Sequence, residues 1–311
     1  MNEQRATSRN RTRGWLVPAA MALLAVMPVH AHDEPQLTHE QAIELIHRSQ
    51  VASPYRLSEK ARAGRIRYTI ALDKGVVWQW PETFEQHVAR SGDGVSITIC
   101  SSCGTEPAPD AQSLRQYLAP NRWIDSDSRE VLAFARSHAV GISVKGKRVA
   151  RQMHLLEKAV KAHMTGAIDF RRYDAASTAL KSHNGDCTEF AVLLAAAARA
   201  RGIPTRLAYG IAYASRFTGA SHVFSPHVWV QAWDGQRWTS YDAGMGQFDS
   251  AHIALAIGDG RPANFRNVVR VLAGLRIVDA VGIVTVPSNG ASGAAVPSPA
   301  PPQPRPRPRP Q

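Results

Sequence analysis

Three residues in the second half of the chain have the side chains needed for thiol chemistry. Cys187 directly precedes an apolar run, His227 lies in the segment Pro-His-Val-Trp-Val, and Asp242 ends the segment Trp-Thr-Ser-Tyr-Asp. A thiol can attack a carbonyl when an imidazole takes its proton and a carboxylate holds that imidazole in one tautomer. Whether these three side chains can do so depends on the elements that position them.

The sequence around Cys187 predicts the first turn of a helix. Asp186 is a favourable N-cap residue, Glu189 completes a capping-box pattern, and Gly202 followed by Pro204 signals the end of the helix. Unpaired N–H groups and the helix dipole at such a start stabilise a thiolate, and they can also donate to an oxyanion. The alternative is a small buried cysteine that packs under a sheet.

The segments that carry His227 and Asp242 are predicted to form a β-hairpin. One strand ends at Trp233, the turn covers residues 234–237, and the second strand begins at Trp238. If the two tryptophans pair, His227 and Asp242 become diagonal neighbours on one face, roughly 7–8 Å apart at Cα. Their side chains would then be within reach of each other. The alternative is that this His and this Asp are unrelated.

The chain resembles the transglutaminase-like superfamily through several motifs that occur in the same order. They are Gly185-Asp186-Cys187 with its Ala-rich helix, Arg199 to Arg206, His227-Val228-Trp229, Tyr241-Asp242, and Asp249-Ser250-Ala251-His252-Ile253. The resemblance covers about residues 150–256. It implies an α+β, papain-like fold in which the cysteine helix packs on an antiparallel sheet. It also implies Cys187 as nucleophile, His227 as general base and acid, and Asp242 as the orienting group.

The departures from the family pattern lie outside these three residues. Ser250 and Ala251 stand where the family often has Ala and Thr, and Ala243-Gly244 replaces a frequent Pro-Thr. Clustered acidic residues of a calcium site are not evident in the sequence, so no metal and no cofactor are expected.

Residues 1–31 have the composition of a secretory signal peptide. Four arginines precede the apolar stretch 15–27, and Val29-His30-Ala31 fits a cleavage site. An uncleaved N-terminal anchor is the alternative. The signal predicts a periplasmic or secreted protein, in a compartment where disulfides form.

Cys100 and Cys103, spaced as C-x-x-C, are therefore predicted to pair as a structural disulfide, which would leave Cys187 as the free thiol.

Four segments are predicted along the 311 residues. They are the signal peptide (1–31), a small β-rich N-terminal module (32–120), a transglutaminase-like domain (121–286) and a disordered Pro/Arg-rich tail (287–311). Within them, residues 65–72, 75–80 and 95–100 are predicted strands, and 268–286 are expected to supply the last strands. Helices are predicted over 38–47, 128–138, 146–164 and 174–180.

These features predict an exported thiol enzyme that cleaves or transfers amide bonds of peptide or protein substrates in the cell envelope, with hydrolysis favoured. A coenzyme-A-dependent acetyltransferase has the same residue order, but export separates it from its cofactor. A non-catalytic module that binds peptide or glycan is the alternative of a different class.

The formal net charge is +12. It is compatible with contact between the basic tail and anionic surfaces, whereas no nucleic-acid partner is expected because the sequence lacks a signature of such folds. Oligomeric state cannot be read from the sequence.

Overall fold

The computed structural model describes residues 38–91, 94–138, 147–166 and 173–283. The predicted signal peptide (1–31) and tail (287–311) lie outside these residues. The described residues all belong to one compact unit. Among them, no helix combines the length and the hydropathy that are needed to span a bilayer.

Eight helices and eleven strands make up the described part of the chain. The helices are α1 (His39–Ser49), α2 (Glu59–Arg62), α3 (Ala111–Gln116), α4 (Arg129–His138), α5 (Lys147–His163), α6 (Ala176–Ser182), α7 (Cys187–Ala200) and α8 (Pro262–Leu272). The strands are β1 (Val51–Ala52), β2 (Arg65–Leu72), β3 (Gln86–Ser91), β4 (Gly94–Ile99), β5 (Thr165–Gly166), β6 (Asn184–Gly185), β7 (Thr205–Phe217), β8 (Ala220–Trp233), β9 (Trp238–Tyr241), β10 (His252–Gly258) and β11 (Leu275–Ile283).

The central sheet is antiparallel and carries the cysteine helix on one face. Its strand order is β1-β8-β7-β10, and β9 also pairs with β8. Helix α7 packs on β8 and β7 and is covered by α4, α5 and α6, so nearly all of its residues are buried. A helix that is apolar all round is a core helix, and the alanines of its second half let its neighbours approach closely. The predicted α+β fold, with the cysteine helix on an antiparallel sheet, is confirmed.

A second antiparallel sheet contains three strands from the first hundred residues and one from the end of the described chain. Its order is β11-β2-β4-β3. Strand β2 alternates buried and exposed residues, and β4 alternates buried and partly buried ones, as expected for strands with one face on the core. Because β11 pairs with β2 along its length, the sheet that begins in the N-terminal segment is completed only by residues 275–283.

One secondary-structure prediction is wrong, and a second is only partly right, since β11 lies within the predicted range 268–286. Residues 75–80 form no strand, because the chain turns at Asp73–Val76 with Gly75 at φ +87°; the strand lies instead at β3. Residues 268–272 belong to helix α8 rather than to a strand. Pro262 opens that helix, and Val268, Val271 and Leu272 bury one helical face.

The predicted disulfide is not present, because Cys100 and Cys103 are free thiols in this structure. The turn that carries them packs against the segment before β3. There the Cys103 thiol donates towards the carbonyl oxygens of Thr98 and Glu85, at 3.4 and 3.5 Å. Burial, together with the nearby Cys100 thiol, raises the pKa of Cys103 to about 12, so Cys103 is a poor nucleophile near neutral pH.

Candidate active site

The predicted hairpin brings His227 and Asp242 together. Strands β8 and β9 pair Trp233 with Trp238 and Val230 with Tyr241, which is the register expected from the sequence. His227 Nε2 lies 2.7 Å from Asp242 Oδ2, and both side chains are buried. The backbone N–H of Asp242 donates to Glu157 Oε1 of α5 at 2.8 Å. The hairpin and helix α5 therefore both hold Asp242 in position.

Cys187 lies against strand β8, at a stretch of its edge where no other strand pairs with it. Strand β7 covers one edge of β8 along most of its length, so β1 and β9 must lie on the other edge. Since β1 pairs at residues 223–224 and β9 at 230–233, the stretch between them is open on that edge. The start of α7 occupies this position, and the backbone N–H of Val228 there acts on Cys187 by lowering the pKa of its thiol.

Cys187 and His227 line one cavity of about 300 Å³. Cys187 is only partly buried, so a ligand in this cavity can meet the sulfur. Since His227 Nε2 is directed at Asp242, its Nδ1 is the nitrogen left to exchange a proton with a group in the cavity. This order of groups is the one that nucleophilic catalysis by a thiol requires.

Asp242 is held as a carboxylate by two imidazoles. Its Oδ2 accepts from His227 and also from His252 Nε2, at 3.0 Å, and its Oδ1 accepts the N–H of Met245 at 3.1 Å. Burial opposes the charge on Asp242, but attraction to His227 and the hydrogen bonds from both imidazoles outweigh it. The pKa of Asp242 therefore lies well below its ordinary value.

His252 is an imidazolium that links Asp242 to a second carboxylate. Its Nδ1 lies 3.0 Å from Asp249 Oδ1, and Asp249 in turn pairs with Arg62 at 2.6 Å. The Asp249 N–H also approaches Nδ1, but at 3.3 Å it is the longer contact. With a carboxylate at each ring nitrogen, both nitrogens must donate. Burial disfavours this charge, yet the hydrogen bonds to Asp242 and Asp249 raise the pKa of His252 to about 9.

His227, Asp242 and His252 also have the residue types of a metal site, and their ligand atoms lie within 4.8 Å of one another. However, both imidazoles approach the same oxygen, Asp242 Oδ2, at hydrogen-bond distances rather than surrounding a common centre. The atoms already satisfy one another, and the geometry is that of a hydrogen-bond network.

A pair of buried acids lies directly beside the thiol. Asp186 caps α7 by accepting from the N–H and hydroxyl of Thr188, both at 2.8 Å. Glu189 accepts from the N–H groups of Asp186 and Asp174, at 3.0 and 2.9 Å. Burial, and then the proximity of the two acids, raises the pKa of Asp186 well above its usual value, and burial also raises that of Glu189.

This acid pair opposes the lowered thiol pKa that the helix start predicts. Burial raises the pKa of Cys187 well above its ordinary value, and the negative charge of Asp186 adds to the effect. The Val228 N–H lowers the pKa of Cys187 but offsets only part of this effect. The surroundings of the sulfur therefore favour the protonated thiol over the thiolate. The predicted thiolate at neutral pH is not supported.

The capping box also changes the expected set of oxyanion donors. The N–H groups of Thr188 and Glu189 both bond the Asp186 side chain. The first-turn donor that this cap leaves for an oxyanion is the N–H of Cys187 itself.

Reasoning from the sequence missed the residues that support the site from a distance. His252 belongs to the Asp249–Ile253 motif, which resembles the family, but the resemblance assigned it no role. Glu157 reaches the site from α5, and Glu85, just before β3, accepts both the N–H and the hydroxyl of Ser240 on β9. Neither glutamate had a local signal, because both contacts join residues far apart in the chain.

Comparison with known proteins agrees with the geometry. Residues 134–243 match the family model described as the transglutaminase-like superfamily. This stretch includes Cys187, His227 and Asp242. No curated protein matches the chain.

Solved structures of low sequence identity match parts of the chain, including the following three. A protein from Cytophaga hutchinsonii, assigned provisionally as a cysteine protease, has 16% identity and a TM-score of 0.42, over 70% of this chain and 85% of its own. The periplasmic domain of TgpA from Pseudomonas aeruginosa has 13% identity and a TM-score of 0.38, over 66% and 91%. Red sea bream transglutaminase has 13% identity and a TM-score of 0.33, over 64% and 49%.

Proposed function

Because this chain contains a domain of the transglutaminase-like superfamily, we propose that it is a thiol enzyme that attacks amide carbonyls of peptide or protein substrates. The observation that carries the proposal is a single cavity lined by both Cys187 and His227, with His227 held from its far side by Asp242. A module that only binds peptide has no chemical need for this combination.

In the proposed reaction, His227 Nδ1 takes the proton of the Cys187 thiol as the sulfur attacks the amide carbon. The resulting oxyanion accepts from the Cys187 N–H, and Asp242 stabilises the imidazolium that forms. His227 then gives the proton to the departing amine, which leaves a thioester on Cys187. Water, activated by the same imidazole, attacks the thioester, releases the acid and restores the thiol.

We favour hydrolysis over transfer to a second amine, and we place the enzyme in the periplasm or outside the cell. The location rests on the signal-like composition of residues 1–31. The choice of acceptor rests on access, because the cavity is open to water at the thiol. An amine acceptor would require a second site that orients it.

Acylation by p-nitrophenyl acetate tests the thiol enzyme without knowledge of the natural substrate. The wild-type protein is expected to release a burst of p-nitrophenol and to gain one acetyl group, located on Cys187 by mass spectrometry. Cys187→Ala should abolish the burst, and His227→Ala should slow both acylation and release of acetate. Cys103→Ala is the matched thiol control and should behave as wild type.

Replacing each of two aspartates of the hairpin distinguishes the proposed triad from its alternatives. Asp242→Asn should lower turnover, by up to the order of 10⁴ known for the equivalent change in serine-protease triads. Asp234→Asn should leave it nearly unchanged, because Asp234 accepts N–H groups of the turn and pairs with Arg237 of the same turn. A silent Asp242→Asn combined with a damaging Asp234→Asn, or acylation that ignores Cys187, contradicts the proposal and leaves the binding module as the better reading.

A further inference from the structure

A second, larger cleft adjoins the thiol cavity. Its volume is about 800 Å³, and it lies between the segment around α2 and the end of β7. Ala214 and Met245 line both spaces. A ligand chain that passes the thiol can therefore continue into this cleft without crossing a separate barrier of the fold.

The lining of the larger cleft is strongly basic. Arg56, Lys60 and Arg216 are exposed, and they have no ion-pair partner among the residues that the structure describes. Glu59 is the single acidic residue in this lining. Cations grouped around a concave surface attract an anionic ligand more strongly than scattered surface charges do.

Arg62 adds a second observation at the floor of the cleft. Its Nη1 pairs with Asp249, whereas its Nε is buried without a hydrogen-bond partner. A buried guanidinium N–H without an acceptor is uncommon in folded proteins. Arg62 therefore keeps part of its hydrogen-bonding capacity unused beside the cleft that it lines.

The thiol cavity has a different character. Phe190, Ala212, Phe217, Pro226 and Met245 line it beside the catalytic side chains. These groups suit an apolar side chain, which gains free energy when it leaves water. The thiol cavity thus suits an apolar part of a ligand, and the adjoining basic cleft suits an anionic part of the same ligand.

We infer that the substrate is a peptide with an apolar residue at the attacked amide and an acidic segment, rich in Asp or Glu, that lies in the basic cleft. This inference rests on the proposed function for the position of the attacked bond. Charge complementarity and the continuity of the cleft with the thiol cavity identify the occupant. Exposed charge pairs contribute modestly each and are screened by salt, so the preference should weaken as ionic strength rises.

Binding of two matched peptides to the Cys187→Ala protein tests the inference without turnover. Both carry a central leucine and a rhodamine label; glutamates flank the leucine in one, and lysines in the other. Fluorescence anisotropy at low salt should give at least about tenfold tighter binding of the acidic peptide. Adding Lys60→Glu and Arg216→Glu together should remove this preference.

The control reverses two exposed arginines that line neither space. Arg67→Glu with Arg270→Glu changes the net charge by the same amount and should leave the preference in place. Equal binding of both peptides, no binding of either, or equal losses in the two double variants would overturn the inference. So would binding of anionic phosphatidylglycerol vesicles through Lys60 and Arg216 without discrimination between the peptides, because the cleft would then serve a membrane surface.

The peptide-binding test and the test of the proposed function can fail independently of each other. Acylation of Cys187 by p-nitrophenyl acetate reports on the thiol alone, whereas anisotropy reports on the cleft alone. An acylated Cys187 with no peptide preference rejects the acidic substrate only. A peptide preference without acylation rejects the thiol enzyme only.

Discussion

At the scale of single residues, the site is built around carboxyl groups in two different environments. Asp242 is held as an anion because two imidazoles donate to it, whereas Asp186 and Glu189 are buried side by side next to the thiol, which raises the pKa of both. The first arrangement would stabilise the imidazolium of His227 in the proposed reaction. The second makes the resting thiol harder to ionise, which protects it from indiscriminate oxidation and alkylation.

Replacing Asp186 by Asn should make Cys187 ionise at lower pH. Asn is as good an N-cap residue as Asp, so the helix start is retained while the negative charge is lost. The rate of alkylation by iodoacetamide should rise only above the free-thiol pKa of about 8.5 in wild type. In Asp186→Asn the rise should come at lower pH, with several-fold faster labelling near neutrality.

Mass spectrometry of the Cys187 peptide across a pH series measures this directly. Asp234→Asn, in the turn at the far end of the hairpin, removes the same charge and should follow the wild-type profile. Superimposable profiles for wild type and Asp186→Asn would show that Asp186 does not control the thiol.

At the scale of elements, the start of α7 depends on a close approach that only glycine permits. A Cβ on Gly185 would overlap the Cβ of Glu189, whose carboxylate bonds the N–H of Asp186. Glycine is thus required before the cysteine by packing against the capping box. Gly166 pairs with Gly185 across the short β5–β6 ladder, but a Cβ there would meet no atom within 4 Å.

Gly185→Ala should therefore destabilise the protein by about 1–3 kcal/mol, the usual cost of overpacking. It should also alter the alkylation rate of Cys187, because the capping box that surrounds the thiol must shift. Urea unfolding followed by circular dichroism gives the free energy of unfolding. Gly166→Ala is the matched control, and a loss of similar size in that variant would count against the packing explanation.

At the scale of the whole molecule, the second sheet supports the loop that carries Asp249 and His252. Tyr68 of β2 donates to the carbonyl of Ser250 at 2.9 Å, and Gln86 of β3 donates to that of Ala254 at 2.9 Å. Arg62, just before β2, pairs with Asp249. The segment of the chain that precedes the family match therefore holds the far end of the Asp242 network in place.

The charge on His252 should make the stability of the folded protein depend on pH. Its pKa rises from 6.5 to about 9 on folding, so the folded state binds more protons between these values. The resulting stabilisation is fully present below pH 6.5 and is lost as pH rises through 9, with a magnitude on the order of 3 kcal/mol. Burial raises the pKa of Glu85 to about 7, and its effect has the same sign but falls at lower pH.

Urea unfolding of wild type and His252→Gln between pH 7 and pH 9.5 isolates this contribution. The free-energy difference between the two proteins should shrink as pH rises. His39→Gln, at an exposed position on α1, should track wild type throughout. A difference that stays constant across this range would mean that His252 is not an imidazolium in the folded state.

Local patterns in the sequence were sufficient for the elements that carry the site. Helix α7 follows from its capping box and stop signal, and the β8–β9 register follows from a short turn between two paired tryptophans. Such features depend on residues close together in the chain, which is why they can be read without the fold. Strand β3 was missed because it is a sheet-edge strand with few apolar residues, and helix α8 because its apolar end, 268–272, resembles the start of a strand.

The protonation states and the supporting contacts depended on tertiary structure. Asp242 meets His252 across ten residues, but Glu85 meets Ser240 across 155 and Arg62 meets Asp249 across 187. Burial of the thiol beside two acids likewise arises only when α7 is enclosed by other helices and the sheet. The free energy of a charge depends on the groups and solvent around it in space. The three side chains of the proposed triad could therefore be recognised along the chain, while their electrostatics required the fold.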